Sequence, residues 1–308
     1  MSNKWKIFWI ASFALVVFFQ ACGMHSWQEM LVSTADEKQM GWEFDSLVKR
    51  GDPSVMSAGE IIFSPQTAAE KALYDYYQAR AKEVRNAIDQ KDWDGLLPSS
   101  NECGDRPKQK CTKENFFEFN IIRSKTKNAF AVPGGYVYFY TEILKDFRSE
   151  SELVSVLGHE VGHVVKHHSR DRIVKQVGAS AIIELLLGPG IGGTLATLGA
   201  SFWLTSNGQD DESESDVLGF YYTDKIGISS EGLGDFFSRG LKSYDPVTGQ
   251  CDEGKESSIL DVFSTHPPSC ERVNNNRKRI IDKKQNFPKN KNFVDGKSFT
   301  ELVTAAGI

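Results

Sequence analysis

No stretch of this chain carries the roughly twenty unbroken apolar residues that a membrane-crossing helix needs. The apolar run Ile7 to Phe19 is too short, and the uncharged segment around 178–204 is divided by Gly188-Pro189-Gly190 and Gly192-Gly193. Cysteine is scarce, with five residues, and no two stand in a CxxC spacing, which makes a thiolate metal site a poor reading. Positive charge is not in excess: 36 Lys and Arg face 41 Asp and Glu, net −5, which leaves no footprint for nucleic acid. Internal repeats are also missing. A hydrophobic content of 40% in 308 residues is that of a globular chain able to build one sizeable core.

Histidine is sparse too, with six residues, yet two of them fall in His159-Glu160-Val161-Gly162-His163. On an α-helix, residues four apart share a face, so the two imidazoles can grip one cation, and neutral imidazoles suit Zn²⁺. Glu160 lies between them, placed to take a proton from an attacking water. The surroundings predict a buried helix. Ser149-Glu150-Ser151-Glu152 is a start signal, and Leu153, Val154, Val156, Leu157, Val161, Val164 and Val165 form an apolar body. Two histidines and a glutamate inside such a helix need partners, and a metal supplies them. The helix is expected to end near His167-His168-Ser169, whose imidazoles could be ligands but are read in preference as capping or solvated.

A hydrolytic zinc site uses three protein ligands. The third is sought in Asp210 to Phe220, where a helical reading puts Glu212 and Asp216 on one face and Glu214 elsewhere. By itself this run reads as a solvated acidic face. Beside an HExxH helix it reads as a ligand, Glu212, with Asp216 accepting the outer ring N–H of a ligand histidine.

Four segments, in order, resemble metallopeptidase family forty-eight, the gluzincins. They are Asn128 to Tyr138, His159 to His163, Glu212-Ser213-Glu214-Ser215-Asp216, and Thr265-His266-Pro267-Pro268 followed by Glu271-Arg272. Ser215 replaces the alanine of the family's ExxAD pattern. The resemblance covers roughly residues 115 to 280. It implies zinc held by His159, His163 and Glu212, with Glu160 as general base. It implies His266 as oxyanion donor or, as in some relatives, a fourth ligand that holds the enzyme latent. Arg272 would fix Glu212 or the oxyanion. The plainer alternatives are a turn at His266 before two prolines and a basic helix face at Arg272. Strands at Phe119–Ile122, Phe130–Val132 and Tyr136–Tyr140 are expected. The segment Asn128, Ala129, Phe130, Ala131 would offer an edge that binds extended peptides by main-chain pairing.

Lys4 and Lys6, the run to Phe19, and Gln20-Ala21-Cys22 resemble a bacterial lipoprotein signal, with cleavage before Cys22 and acylation of it. Setting Cys22 aside leaves four cysteines, an even set that argues for disulfides in an exported chain. Cys103–Cys111 and Cys251–Cys270 close the short loops and are preferred among three connectivities. A long amphipathic helix is expected within 66–92, an exposed loop at 98–114, and a helix with a basic face within 272–291. Segment 178–204 is read as two short helices serving as core, lipid contact or lid.

The expected architecture is α+β, mainly helical with a small sheet beside the HExxH helix. Its expected division is a signal peptide at 1–21, a tether and helical segment at 22–65, and a zinc metallopeptidase domain at 66–308 with its core at 115–280. The expected function is zinc-dependent endoproteolysis of misfolded or unassembled proteins in a bacterial envelope, one Zn²⁺ per chain, with the acylated Cys22 in the outer membrane facing the periplasm. The alternative is a chaperone-like client binder with a latent zinc site.

Overall fold

The computed structural model describes residues 31–98, 102–103, 106–177, 207–255 and 262–308. The signal segment with Cys22, and the glycine-broken segment 178–204, lie outside the described residues. Among those described, no helix is long and apolar enough to cross a membrane.

Helix α1, Thr34–Lys49, opens with a capping box in which Asp36 N donates to Ser33 Oγ and Ser33 N donates to Asp36 Oδ2. Strand β1, Ile61–Ile62, leads to α2, Ala68–Ala87, which starts at a second capping box on Thr67 and Glu70. Within the expected loop, residues 102–103 and 106–110 pair as a short antiparallel hairpin. Strands β2 (Glu118–Arg123), β3 (Ala129–Val132) and β4 (Tyr136–Tyr140) then complete a four-stranded sheet in the order β1-β2-β4-β3. Strand β4 pairs in parallel with β2 and antiparallel with β3, in a register that sets Ala129 opposite Phe139 and Val132 opposite Tyr136. Strand β3 is therefore an edge.

The sequence of β4, Tyr-Val-Tyr-Phe-Tyr, alternates between two cores because successive strand residues point to opposite faces. Tyr136, Tyr138 and Tyr140 join Met40 and Phe44 of α1, whereas Val137 and Phe139 join the apolar body of the HExxH helix. Helix α1 lies close to the sheet because Gly41 meets Pro133 O, where a Cβ would come within 1.9 Å. Tyr138 is fully buried, and its hydroxyl donates to Asp45 on α1 at 3.0 Å.

Helix α3, Glu150–Val165, is the HExxH helix, and all sixteen of its residues are buried. That explains its composition, and it makes partners necessary for the charged groups at its start. Ser149 caps it through Oγ, which accepts from Glu152 N at 3.3 Å. Glu152 takes a two-pronged ion pair from Arg239 at 2.6 and 2.9 Å. Glu150, fully buried, accepts from Arg80 Nη1, Lys291 N, Asn292 N and Asn292 Nδ2 at 2.6 to 3.0 Å. The late segment around residue 291 is thus strapped to the start of the helix.

The chain continues through α4 (His168–Val177), α5 (Gln209–Lys225) and α6 (Glu231–Ser238). A hairpin of β5 (Leu241–Tyr244) and β6 (Cys251–Lys255) follows, then α7 (Val262–Thr265), α8 (Cys270–Lys283) and α9 (Phe299–Ala306). The whole is α+β with helices dominant, as the sequence predicts.

Burial opposes ionisation of Glu150, but the Tyr76 hydroxyl and the amides of Lys291 and Asn292 outweigh it and hold the carboxyl below its ordinary value. A carboxyl lowered in this way contributes stability above the ordinary carboxylate range, and that contribution is lost as pH falls through the folded value. Glu150→Gln is expected to cost about 3 kcal/mol at pH 7, with the gap to wild type shrinking in acid. Urea unfolding of both proteins at pH 7 and near pH 4 checks this, and a gap independent of pH would count against the assignment.

Candidate metal centre

His159 and His163 stand one turn apart on α3, with ring centroids 4.7 Å apart and Nε2 atoms 3.0 Å apart. What reaches them is decided by a seam of small residues. A Cβ added at Gly162 would meet Ser215 Cα at 3.0 Å, and one added at Gly219 would meet His159 N at 3.0 Å. Helix α5 therefore lies against α3 nearly backbone to backbone. Serine is small enough for the position where the family pattern has alanine.

That contact brings Glu212 and Asp216, one turn apart on α5, over the histidines. Glu212 Oε1 is 3.3 Å from His163 Nε2, and its Oε2 is 3.4 Å from His159 Nε2. Asp216 Oδ1 is 2.9 Å from His159 Nδ1, the ring nitrogen facing away from the cluster. Glu214, on the same helix, is exposed.

His266 follows α7 and completes the group. Its Nδ1 lies 2.9 Å from Glu212 Oε1 and 3.2 Å from His159 Nε2, while its Nε2 lies 3.2 Å from Glu160 Oε1. Ligand atoms of His159, His163, Glu212 and His266 all lie within 4.8 Å of one another, and all four residues are buried. Arg272 sits in the first turn of α8, where Ser269 Oγ accepts from its amide. Its guanidinium donates to both Asp216 oxygens at 2.7 Å and to Pro267 O at 2.8 Å, and its Nη1 stands 2.7 Å from Glu212 Oε2. It also lies over the Phe237 ring, 4.1 Å from the centroid. The disulfide Cys251–Cys270 ties β6 to the first residue of this helix, four positions after His266. Cys111 is also disulfide-bonded; the side chain of Cys103, its expected partner, lies outside the described residues.

The cluster behaves as a place prepared for positive charge. Burial opposes a proton on His159, yet Glu212 and Asp216 outweigh it and raise that imidazole to about 9. Burial pushes His163 well below its ordinary value against the pull of Glu212. Glu212 is held well below the carboxylate range although burial opposes this, because His266, Arg272 and His159 surround it. Burial raises Glu160, whose two oxygens form no hydrogen bond.

The residues fit zinc on the chemistry of their donors. When His159 directs an Nδ1 proton to Asp216 and His163 directs one outward, their Nε2 lone pairs face each other across 3.0 Å, with a carboxylate beside them. Such lone pairs repel unless a proton or a metal cation lies between them, and a metal is the one that the neighbouring carboxylate can also bind. Bonds of roughly 2.0–2.1 Å to a tetrahedral zinc place donors about 3.4 Å apart, close to the spacing found.

Other expected residues fall around this group. Asn128 is buried, and its Oδ1 accepts from Ala129 N at 2.9 Å and Thr265 Oγ1 at 3.3 Å. Phe130 and Ala131 line a small cleft with Glu160, His163 and His266. One expectation needs correction. His167 is half-buried with its Nδ1 2.6 Å from Glu37 on α1, and His168 is buried rather than solvated, its Nδ1 2.9 Å from His163 Nδ1. The reason is local. His167 adopts φ +56, which ends α3 and turns the chain back so that a residue five positions on reaches His163. Helical periodicity carries no such signal. Asn207 also escaped notice; it donates to Glu212 Oε1 at 3.0 Å and accepts from Arg172 at 2.9 Å.

An HExxH helix crossed by a second helix that offers a glutamate to the same point defines the architecture of a gluzincin metallopeptidase. The chain matches the model of Peptidase family M48 over residues 105–280, more than half its length, and it belongs to that family. It is 30% identical over 175 residues to a putative beta-barrel assembly-enhancing protease of Vibrio cholerae, covering 53% of this chain and 34% of that one. It is 29% identical over 168 residues to metalloprotease LoiP of Escherichia coli, covering 53% and 62%. It is 31% identical over 180 residues to metalloprotease YcaL of Escherichia coli, covering 54% and 63%. The matches thus span between about a third and just under two thirds of these relatives.

Gly219→Leu should force α5 away from α3, an overpacking of about 1–3 kcal/mol that separates Glu212 from the histidines. Competition with a chelator is expected to show zinc affinity reduced about tenfold or more. Affinity equal to wild type in a folded variant would contradict the seam's role.

Proposed function

We propose that the chain is a zinc-dependent endopeptidase of the bacterial cell envelope that hydrolyses peptide bonds in misfolded or unassembled proteins. One observation carries this reading: His159, His163 and Glu212 converge on one point, and the unbonded carboxylate of Glu160 lies beside them. A zinc ion held by His159, His163 and Glu212 would supply Lewis acidity toward water and the scissile carbonyl. Glu160 takes the proton of the attacking water and returns it to the leaving amine, a task matched to a carboxyl raised by burial. Asp216 and Arg272 orient His159 and Glu212. Asn128 to Ala131, at the sheet edge, receives an extended substrate by main-chain pairing, a mode that tolerates many side chains.

His266 would supply a fourth donor to a bound zinc in this conformation. Its Nδ1 faces the ligand cluster and its Nε2 faces Glu160, so it stands where water and substrate must enter. Catalysis then requires the His266-Pro267-Pro268 segment to withdraw. The same observation favours a second reading, a client-binding chaperone whose zinc site stays closed.

The setting rests on the amino-terminal pattern ending in Cys22 and on the disulfides, which suit an oxidising compartment. An acylated Cys22 would anchor the protein to the inner face of the outer membrane. The relatives named for beta-barrel assembly support clients among envelope proteins.

Casein digestion separates enzyme from binder. Glu160→Gln is expected to keep its zinc and lose activity by roughly 10²–10⁴-fold, and His266→Ala to keep zinc and cleave faster than wild type. No cleavage by any of the three, with equal protection of clients, would support the chaperone. Loss of cleavage in zinc-loaded His266→Ala would assign that imidazole to the oxyanion instead. For the anchor, labelled palmitate should enter the wild-type protein and not Cys22→Ser; absence of label in both would remove the lipoprotein assignment.

A further inference from the structure

His163 presents Nε2 to the ligand cluster, so its orientation depends on what holds Nδ1. That atom lies 2.9 Å from Nδ1 of His168, a buried residue at the start of α4. We propose that His168 is a positioning residue for the zinc site: it accepts the Nδ1 proton of His163 and thereby fixes the tautomer and ring plane of that ligand. The inference rests on the zinc reading above and adds a residue to it.

Proton accounting supports the assignment. Two nitrogens 2.9 Å apart share a single proton. If His163 gives its Nε2 lone pair to a cation while neutral, its proton is on Nδ1 and points at His168. His168 must then receive it with a lone pair on Nδ1 and carry its own proton on Nε2. That Nε2 is 3.5 Å from Glu214 Oε2 and 3.8 Å from Asp211 Oδ1, so acidic groups face it. The result is a series of carboxylates, imidazole, imidazole and metal. Ser215 Oγ, where the family pattern has no hydroxyl, stands 3.3 Å from the same His168 Nδ1 and bears on the ring from α5.

The two ligand histidines are thus held differently. His159 meets a carboxylate that Arg272 clamps, whereas His163 meets a second imidazole, a weaker and neutral acceptor. A partner of this kind orients its ligand without adding a full negative charge beside a cluster that already contains Glu212, Asp216 and Glu160. Removal of groups that orient metal ligands typically costs about 10–100-fold in affinity.

The test compares two substitutions. His168→Asn keeps an acceptor near the position of Nδ1, while His168→Leu keeps bulk and loses the acceptor. Competition against a chelator is expected to show His168→Leu binding zinc about 10–100-fold more weakly than wild type, with His168→Asn recovering most of that loss. Equal affinity of His168→Leu and wild type, or equal losses in both variants, would overturn the proposal, since bulk alone would then account for the residue. Should His168→Leu fail to fold, nitrogen-15 NMR of zinc-loaded wild type decides. His168 is expected to be protonated on Nε2 alone, and a proton on its Nδ1 overturns the assignment. Wild-type protein that takes up no zinc would overturn both this inference and the reading beneath it.

Discussion

The near contact of two backbones governs this molecule. Helices normally pack 8–10 Å apart, with side chains between them setting the distance. Here Gly158, Gly162 and Gly219, with Ser215, remove those side chains where α3 meets α5. The consequence is electrostatic as much as steric. Carboxylates on α5 are brought within about 3.5 Å of imidazoles on α3, in a buried region where charges interact strongly.

Burying charge on this scale is unfavourable unless each group has a fixed partner. The structure meets that demand from several directions. Arg272, on a helix reached 56 residues after Asp216, closes the ring of charge around Glu212 and Asp216. The disulfide and the Ser269 cap hold the start of that helix in place. At the other end of α3, Glu150 and Glu152 are held by Arg80, Arg239 and amides of the late chain. The HExxH helix is therefore gripped at both ends, which suits a site whose donors must keep their spacing to fractions of an ångström.

Much of the site was legible because its chemistry is periodic. His159 and His163, like Glu212 and Asp216, are pairs one helical turn apart, and a single sequence displays such pairs directly. The strand segments were legible as well, whereas the division of β4 between two cores emerged only from the structure. What escaped depends on irregular backbone or on distance. His168 reaches His163 because His167 leaves the helical region, and its burial cannot be read from a polar run of Lys166 to Arg170. Asn207 has no periodic partner at all. The packing of α1 on the sheet was equally hidden, because Met40, Gly41 and Phe44 acquire meaning only opposite Pro133, Phe130 and Tyr138.

By itself the sequence determined which side chains share a face: the two imidazoles, with the glutamate beside them, and the acidic pair on a later helix. Those are properties of a helix repeating every 3.6 residues, and they need no knowledge of the remaining chain. Only the tertiary structure decided which faces meet, that His266 turns its Nδ1 toward the cluster, and that the ring of His168 lies against that of His163. The first two relations join atoms tens to more than a hundred residues apart, the third turns on one irregular backbone position, and packing fixes the geometry of all three, which local periodicity does not encode.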